Sequence, residues 1–394
     1  MAITDKEEGV WELEQVYNKQ NQGGIWSYDS NTYNLFVWGG NRFGNLGLNQ
    51  GYPSAPYGNR SSPTQVPGNT WTTKVSGSAG SSTKAIKNDG TLWTWGRNNK
   101  GQLGLGNKNN YSSPTQVGTA TTWDTVASMH YGSMAVKTDG TLWTWGRNNW
   151  GQLGQNNKSE YANVTQVGTD STWSHTMKNT MAYGIEPPVG AIKTDGSLWS
   201  WGYNNYMGAL GLNDRQARSS PCQLPGTTWR TVAWGLNTAA ATKTDGSLWT
   251  WGRNGQGQLG HEDTTPRSSP VQVPGTWSNV SINRSQAISA VKTDGTLWTW
   301  GYNENAGALG HNNQTNYSSP KQVGTDTNWS STSVGYMYMF GIKTDGTLWS
   351  WGGAETDGTM GLNSIIKRSS PTQVGGTWTE AYGIFGHSAG VKQL

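Results

Sequence analysis

The stretch that decides the fold runs from Asp89 to Gly104 and reads DGTLWTWGRNNKGQLG. Side chains alternate between the two faces of a strand, so Trp93 and Trp95 share one face and Leu92 lies on the other. Apolar groups on both faces indicate a strand packed between neighbouring layers. Asp89 and Gly90 come directly before it, and an Asp-Gly pair is typical of a tight hairpin turn.

This strand and its turn recur along the chain. Its terminal Trp-Gly occurs seven times at intervals of 49 to 57 residues, at Trp38, Trp95, Trp145, Trp201, Trp251, Trp300 and Trp351. A repeat of this length is typical of arrays of small sheets. Each unit also contains a Ser-Ser-Pro segment or a variant of it, and proline lacks the N–H that a central strand requires. We therefore expect this segment at a strand start or at a sheet edge.

These features predict an all-β fold: a seven-bladed β-propeller with four-stranded blades. The last unit, 369–394, ends before its Trp-x-Trp-Gly strand, whereas 33–40 (YNLFVWGG) is an isolated copy of that strand. We therefore expect one blade to be shared between both termini. The ring-closure residues would be Leu35, Phe36, Trp38 and Val391. A linear solenoid is the alternative.

Composition excludes several classes of protein. The 394 residues include 55 Gly and 24 Trp but only 13% charged residues, which does not suit a helical bundle. Apolar runs are too short for a membrane-spanning helix, and charges at 6–8 argue against a signal peptide. The single cysteine, Cys222, excludes an internal disulfide. The net charge of +4 is scattered, so nucleic acid is an unlikely partner.

Three motifs recur in a fixed order: the turn Gly, Trp-Gly and Gly-Gln-Leu-Gly. Across roughly 33–394 this pattern resembles the regulator of chromosome condensation repeat family. The resemblance implies a seven-bladed propeller. It does not imply one function, because the family includes a guanine nucleotide exchange factor, a plant UV-B photoreceptor and a secreted β-lactamase inhibitor. The acidic wedge and basic tail of the exchange factor do not stand out here. The Gly-Trp-Arg-His-Thr string of the photoreceptor is absent.

The segment before the propeller has a second resemblance, which concerns where the protein is found. Residues 9–17 (GVWELEQVY) and 23–26 (GGIW) resemble terminal segments of virion proteins of tailed bacteriophages, including cyanophages. We divide the chain into a docking segment at 1–25, which could form a short helix, and a propeller at 26–394. The docking candidates are Val10, Trp11, Leu13, Val16 and Tyr17. The alternative is a cap that folds back over the first blade.

No catalytic site emerges from the sequence. The six aspartates of the Asp-Gly pairs that precede a Trp-x-Trp-Gly strand suit hairpin turns better than a ring of metal ligands, and the five histidines fall at differing repeat positions; the six are Asp89, Asp139, Asp195, Asp245, Asp294 and Asp345. We therefore expect a non-enzyme without metal or cofactor. The binding candidates are aromatic side chains that we expect to face solvent, notably in the long loops 48–60 and 177–189, where the repeat is interrupted. They are Tyr52, Tyr57, Trp150, Tyr183 and Tyr203, with ordinary loop variation as the alternative.

The function that these patterns favour is a non-enzymatic structural protein of a bacteriophage virion, in a capsid decoration, a baseplate or a fibre. Its partners would be other virion proteins, with host-surface glycan as a further possibility and no membrane insertion. Its location would be the virion, assembled in the host cytoplasm. The alternative is a glycan- or protein-binding propeller, including a cellular regulator similar to a guanine nucleotide exchange factor.

Overall fold

The computed structural model describes residues 32–51, 57–78, 81–177, 188–204, 207–282, 286–304, 307–353 and 358–393. Within these ranges the chain forms strands and turns and no helix, so the all-β prediction is confirmed. The strands are β1 (Tyr33–Gly39), β2 (Arg60–Gln65), β3 (Trp71–Ser78), β4 (Ser82–Lys87), β5 (Leu92–Gly96), β6 (Tyr111–Gln116), β7 (Trp123–Ser128), β8 (Gly132–Lys137), β9 (Leu142–Gly146), β10 (Tyr161–Gln166), β11 (Trp173–Thr176), β12 (Pro188–Lys193), β13 (Leu198–Gly202), β14 (Arg218–Gln223), β15 (Trp229–Trp234), β16 (Thr238–Lys243), β17 (Leu248–Gly252), β18 (Arg267–Val273), β19 (Trp277–Ile282), β20 (Ala287–Lys292), β21 (Leu297–Gly301), β22 (Tyr317–Gln322), β23 (Trp329–Val334), β24 (Tyr338–Lys343), β25 (Thr347–Gly352), β26 (Arg368–Thr377), β27 (Glu380–Gly383) and β28 (His387–Gln393).

The strands form antiparallel four-stranded blades in chain order. Five blades are separate sheets, from β7–β10 through β23–β26. The remaining strands make one eight-stranded sheet, in which β27-β28-β1-β2 and β3-β4-β5-β6 are joined by the single residue pair Tyr33↔Trp71. The Ser-Ser-Pro strand is the outer strand of its blade, as predicted, because it pairs on one side only.

The two ends of the described chain lie in the same sheet. Strand β1 pairs with β28 over seven residue pairs, from Tyr33↔Gln393 to Gly39↔His387. Of the four ring-closure candidates, Leu35, Trp38 and Val391 are fully buried, and Phe36 packs edge-on against Trp378 with ring centroids 5.5 Å apart.

One boundary of the shared blade was predicted wrongly. We assigned the whole of 369–394 to it, but Arg368–Thr377 pairs with β25 of the preceding blade. The shared blade begins at Glu380. The physical reason is that each blade starts at its Thr-Trp strand and finishes at the next Ser-Ser-Pro strand, so a blade is offset from the sequence unit we had outlined.

The sequence motif of each blade builds one recurring cluster. Lys137, at the end of β8, places its ammonium 4.9 Å from the Trp123 ring and 4.1 Å from the Trp143 ring. The Trp143 indole donates to Thr141 Oγ1 at 2.8 Å, and Thr141 donates to Asp139 at 2.6 Å. The Asp therefore holds the hairpin, as predicted, and these hydrogen bonds lower its pKa.

The lysine and the two aromatic rings of this cluster also occur in the blade made from both ends. Lys392 lies 4.3 Å from the Trp378 ring and 4.9 Å from the ring of Phe36, which β1 supplies. Cation–π contacts of this kind contribute about 0.5–2 kcal/mol each, depending on desolvation. The shared blade thus keeps the contact of a lysine with two aromatic rings, whereas Phe36 has no N–H for the hydrogen bond that Trp143 donates.

Candidate binding face

One end of the blades carries the long connections. In an antiparallel four-stranded blade, the first-to-second and third-to-fourth connections lie at the same end. We call this end the loop face; among the described residues it includes 40–51, 57–59, 97–110, 129–131 and 147–160. Within 97–110, the buried Asn98 accepts from Leu103 N at 2.9 Å and donates to Asn107 O at 2.9 Å. A buried asparagine occupies this repeat position in six of the seven repeats and fixes the loop that follows it; the six are Asn41, Asn98, Asn148, Asn204, Asn254 and Asn303.

A row of cationic and aromatic side chains crosses the loop face. The Arg97 guanidinium lies 4.6 Å from the Phe43 ring and 5.3 Å from the Tyr131 ring, and it donates to Tyr131 Oη at 3.2 Å. Arg42 lies 5.4 Å from Phe43, and Arg147 lies 5.8 Å from Tyr131. The row joins three successive blades, because its members come from the loops after β1, β5, β7 and β9.

Two lysines near this row share an acidic partner, whereas Arg42 and Arg97 have none in the described chain. Lys100 and Lys108 pair with Glu160 at 3.0 and 3.3 Å. Within the described chain, neither Arg42 nor Arg97 forms an ion pair. Among the same residues, the only hydrogen bond of either side chain is the one from Arg97 to Tyr131. Several guanidinium N–H groups therefore remain available at this place.

These two arginines border a cavity of about 380 Å³. Phe43 and Phe385 also line it, together with Tyr57 from the long loop 48–60. Asn41 fixes that loop by donating to Gln50 O and to Tyr57 O, at 3.0 and 2.8 Å. Tyr57 is thus one predicted binding residue that the structure places at a cavity. We call this cavity the seam pocket, because its walls come from the blade shared by the chain ends and from the blade that follows.

A second predicted pair meets elsewhere on the loop face. Trp150 is 36% exposed, and its ring packs edge-on against Tyr203 with centroids 4.9 Å apart. Lys158 lies 5.9 Å from the same indole. Tyr203 was expected to face solvent, but it is only 6% exposed, so that expectation is wrong. The reason is that Tyr203 underlies the Trp150 indole of the preceding loop.

The remaining predicted residues are not brought to a site. Tyr52 and Tyr183 lie outside the described residues, as do Val10, Trp11, Leu13, Val16 and Tyr17. At the edges of the predicted loop 177–189, Met177 and Val189 are buried, so only the part between them can be an insertion. Met177 faces a cavity of about 280 Å³ lined by first strands of the blades.

Sequence reasoning missed Arg42, Phe43, Arg97 and Tyr131. A signal was available: Arg97 directly follows a Trp-Gly, and Phe43 occupies the repeat position of Trp150. Their meeting depends on how neighbouring blades pack. For that reason, inspection of single repeats did not reveal it.

The described residues do not supply a reactive constellation. No group of three or more His, Cys, Asp or Glu side chains that could hold a metal occurs among them. The described part of the chain also has no helix that could cross a membrane. His387 is fully buried and lies 3.0 Å from Thr83 Oγ1, and burial lowers its pKa to about 4. A neutral histidine enclosed between two blades is suited to packing.

Together, these antiparallel four-stranded blades define the class of the protein: a β-propeller. The model of the family described as "Regulator of chromosome condensation (RCC1) repeat" matches residues 89–136, 139–173, 195–241, 245–290 and 294–342. These matches cover more than half of the chain. The protein therefore belongs to the RCC1 repeat family.

Solved structures show the same fold at low sequence identity. Human WBSCR16 superimposes with a TM-score of 0.77 at 20% identity, covering 92% of this chain and 99% of that chain. Prp20p of Saccharomyces cerevisiae, the yeast RCC1, gives 0.77 at 18% identity, covering 92% of both chains. The same yeast protein bound to Kap60 gives 0.76 at 18% identity, covering 92% of this chain and 90% of that chain. Comparison with curated protein sequences finds no match.

Proposed function

We infer that the blades close into a seven-membered ring joined by the two chain ends. Strand β1 supplies the third strand of the shared blade. This blade contacts both neighbours: Trp38 donates to Thr359 O at 2.8 Å on one side, and His387 meets Thr83 at 3.0 Å on the other. A closed ring leaves no blade with an uncovered face, which stabilises a fold made of short strands.

We propose that the protein is a non-enzymatic binding propeller that holds a partner protein on its loop face. The observation that carries this proposal is the partly exposed Trp150 indole, supported from below by Tyr203. Tryptophan, tyrosine and arginine dominate the energetics of protein interfaces, because they bury a large area at a small cost in conformational entropy. The yeast RCC1 propeller, which has the same fold, is described as bound to Kap60 and as having binding properties to Gsp1p and histones.

Trp150 is well placed to act as an anchor. Its backbone N–H donates to Gln152 Oε1 at 3.0 Å, which fixes the loop that presents the indole. Arg147 and Lys158 lie on the same loop, so the surroundings of the anchor are cationic. A partner that covers Trp150 is therefore expected to present an apolar pocket with acidic residues at its rim.

The test starts from a partner captured in the native source and then purified. We expect Trp150→Ala to weaken its binding by about 30-fold, because truncating a central aromatic anchor costs about 2 kcal/mol. Gln256 occupies the same repeat position in another blade, so Gln256→Ala is the matched control and should bind within about twofold of the wild type. Equal binding by the Trp150→Ala variant would refute this assignment of the interface.

A narrower form of the proposal is a regulator similar to a guanine nucleotide exchange factor. It predicts that the protein accelerates the release of a fluorescent guanine nucleotide from a small GTPase, with Trp150→Ala slower than the wild type. Nucleotide release at the spontaneous rate would contradict this narrower proposal, but it would not contradict the binding of a partner protein.

The virion assignment is a separate proposal that rests on the resemblance of segments 9–17 and 23–26 to phage proteins. Those segments lie outside the described residues. It predicts that the chain co-sediments with intact virus particles in stoichiometric amount, as detected by peptide mass spectrometry. It also predicts that deletion of 1–20 abolishes incorporation without unfolding the propeller. A chain absent from particles would contradict it.

A further inference from the structure

The seam pocket concentrates positive charge, because two arginines and no carboxylate line it among the described residues. Arg42 and Arg97 both contact the ring of Phe43, and neither has a carboxylate partner in the described chain. Arg97 is half-buried and Arg42 is exposed, and the positive charges of these two nearby groups produce a mutual repulsion. An anion in the pocket would relieve it.

Two other arginines of the loop face, each at the start of a fourth strand, do have an acidic partner. Arg218 pairs with Asp214 at 2.6 Å, and Arg267 pairs with Asp263 at 2.6 Å. In both cases the acid lies four residues before the arginine, within the same loop. The chain thus supplies its own counter-charge at these repeat positions, whereas the described residues supply none in the seam pocket.

One of the two cationic groups of the pocket is also held in place. The Arg97 guanidinium contacts Phe43 and Tyr131, and its hydrogen bond to Tyr131 uses one of its five N–H donors. The remaining donors form a planar fork of the kind that binds a carboxylate with two parallel hydrogen bonds. Because the arginine is already ordered, binding would cost little side-chain entropy.

The rest of the pocket suits a compact ring. Its volume of about 380 Å³ is within the range of small-molecule sites. Phe43, Phe385 and Tyr57 contribute aromatic surface to its walls. Among the described lining residues there is no aspartate or glutamate that would repel an anion.

We propose that the seam pocket binds a small organic anion, a carboxylate carried by a six-membered ring. The carboxylate accepts hydrogen bonds from Arg97 and is neutralised by Arg42, and the ring packs against the aromatic wall. A sugar acid at the end of a glycan and a free aromatic acid share this chemistry. The site goes beyond partner-protein binding at Trp150 and does not depend on it.

The experiment is isothermal titration calorimetry on the purified full-length chain with glucuronate, benzoate, glucose and acetate. We expect at least one ring acid to bind at least about tenfold more tightly than both glucose and acetate, because only a ring acid offers both charge and ring. Preference for glucuronate would identify a sugar acid, and preference for benzoate would identify an aromatic acid. Absence of binding by both ring acids, or equal binding of acetate or glucose, would overturn the proposal.

Variants separate recognition from a general loss of structure. Arg97→Ala should weaken binding of the preferred acid at least about tenfold, and Arg97→Lys should bind with intermediate affinity because it keeps the charge but loses the fork. Arg253 follows Trp-Gly in another blade, so Arg253→Ala is the matched control and should bind as the wild type does. Unchanged binding by Arg97→Ala, or an equal loss in Arg253→Ala, would overturn the proposal. Thermal unfolding of each variant verifies that it is folded.

Discussion

Replacement of Lys84 by methionine should stabilise the protein. Lys84 lies in β4 with no exposed surface, and its ammonium donates a hydrogen bond to Ser82 Oγ at 2.7 Å. Burial lowers the pKa of this group from 10.5 to about 7. The same position in the next blade is Met134, which is also fully buried, so methionine suits this place in the repeat.

The size of the effect follows from the lowered pKa. The unfolded chain binds a proton at Lys84 up to about pH 10.5, whereas the folded chain releases it above about pH 7. Between these values the unfolded state binds more protons, so the stability of the wild type rises with pH. At 1.36 kcal/mol per pKa unit, the buried amine costs roughly 4 kcal/mol at pH 7 and roughly 2 kcal/mol at pH 9.

Urea unfolding followed by tryptophan fluorescence at pH 7 and pH 9 measures this cost. We expect Lys84→Met to be more stable than the wild type at both values, with the larger gain at pH 7. Lys158→Met, at an exposed position, is the control and should leave the pH dependence unchanged. A gain that is the same at both pH values, or a variant less stable than the wild type, would refute the reasoning.

Three further outcomes are expected. Trp38→Ala should lower the free energy of unfolding, measured with urea, by about 3–5 kcal/mol, because it empties a fully buried site of the shared blade. Trp150→Ala, at an exposed position, should lower it far less, and equal losses would contradict this. His387 should account for roughly 3 kcal/mol of the stability that the wild type loses as the pH falls from 6.5 to about 4, because the unfolded chain protonates this residue while burial keeps it neutral in the fold. His387→Asn should flatten that dependence and the exposed His175→Asn should not, as acid titrations of stability would show. Lys137→Met should lower the free energy of unfolding, measured with urea, by about 1 kcal/mol more than Lys108→Met at an exposed position, because it removes two cation–π contacts. A smaller difference would mean that these contacts do not stabilise the fold.

Much of the fold could be predicted because its signals are local. The alternation around Trp93 and the turn at Asp89-Gly90 specify a hairpin within about ten residues, and repetition of the pattern indicates blades. The isolated strand 33–40 was recognisable by the same signature. The blade boundary near Ser369 was misplaced, because the sequence unit does not show which strand begins a sheet.

The candidate sites were harder to predict because they are formed between blades. Phe43 and Arg97 belong to different repeats, and only the packing of neighbouring loops brings them together. Tyr203 looked exposed in its own loop, but the indole of Trp150 covers it from the preceding one. Contacts of this kind depend on the angle between blades, which a periodic sequence does not encode locally.

The shared blade is the central feature of the molecule, because it pairs strands from the two ends of the chain and forms part of the seam pocket. The most direct test is an engineered disulfide between the substitutions Tyr33→Cys and Gln393→Cys, in a Cys222→Ser background. The two positions form a directly opposed antiparallel pair, and Cα atoms of such pairs lie within disulfide range.

The control pairs Asn34→Cys with Gln393→Cys, since adjacent residues of a strand point to opposite faces. We predict that the engineered bond between positions 33 and 393 forms nearly completely in the folded protein under mild oxidation, seen as a faster-migrating cyclic chain on non-reducing gels. The control should stay largely reduced. A double variant at 33 and 393 that remains reduced, or that oxidises no faster than the control, would contradict closure of the ring by the chain ends.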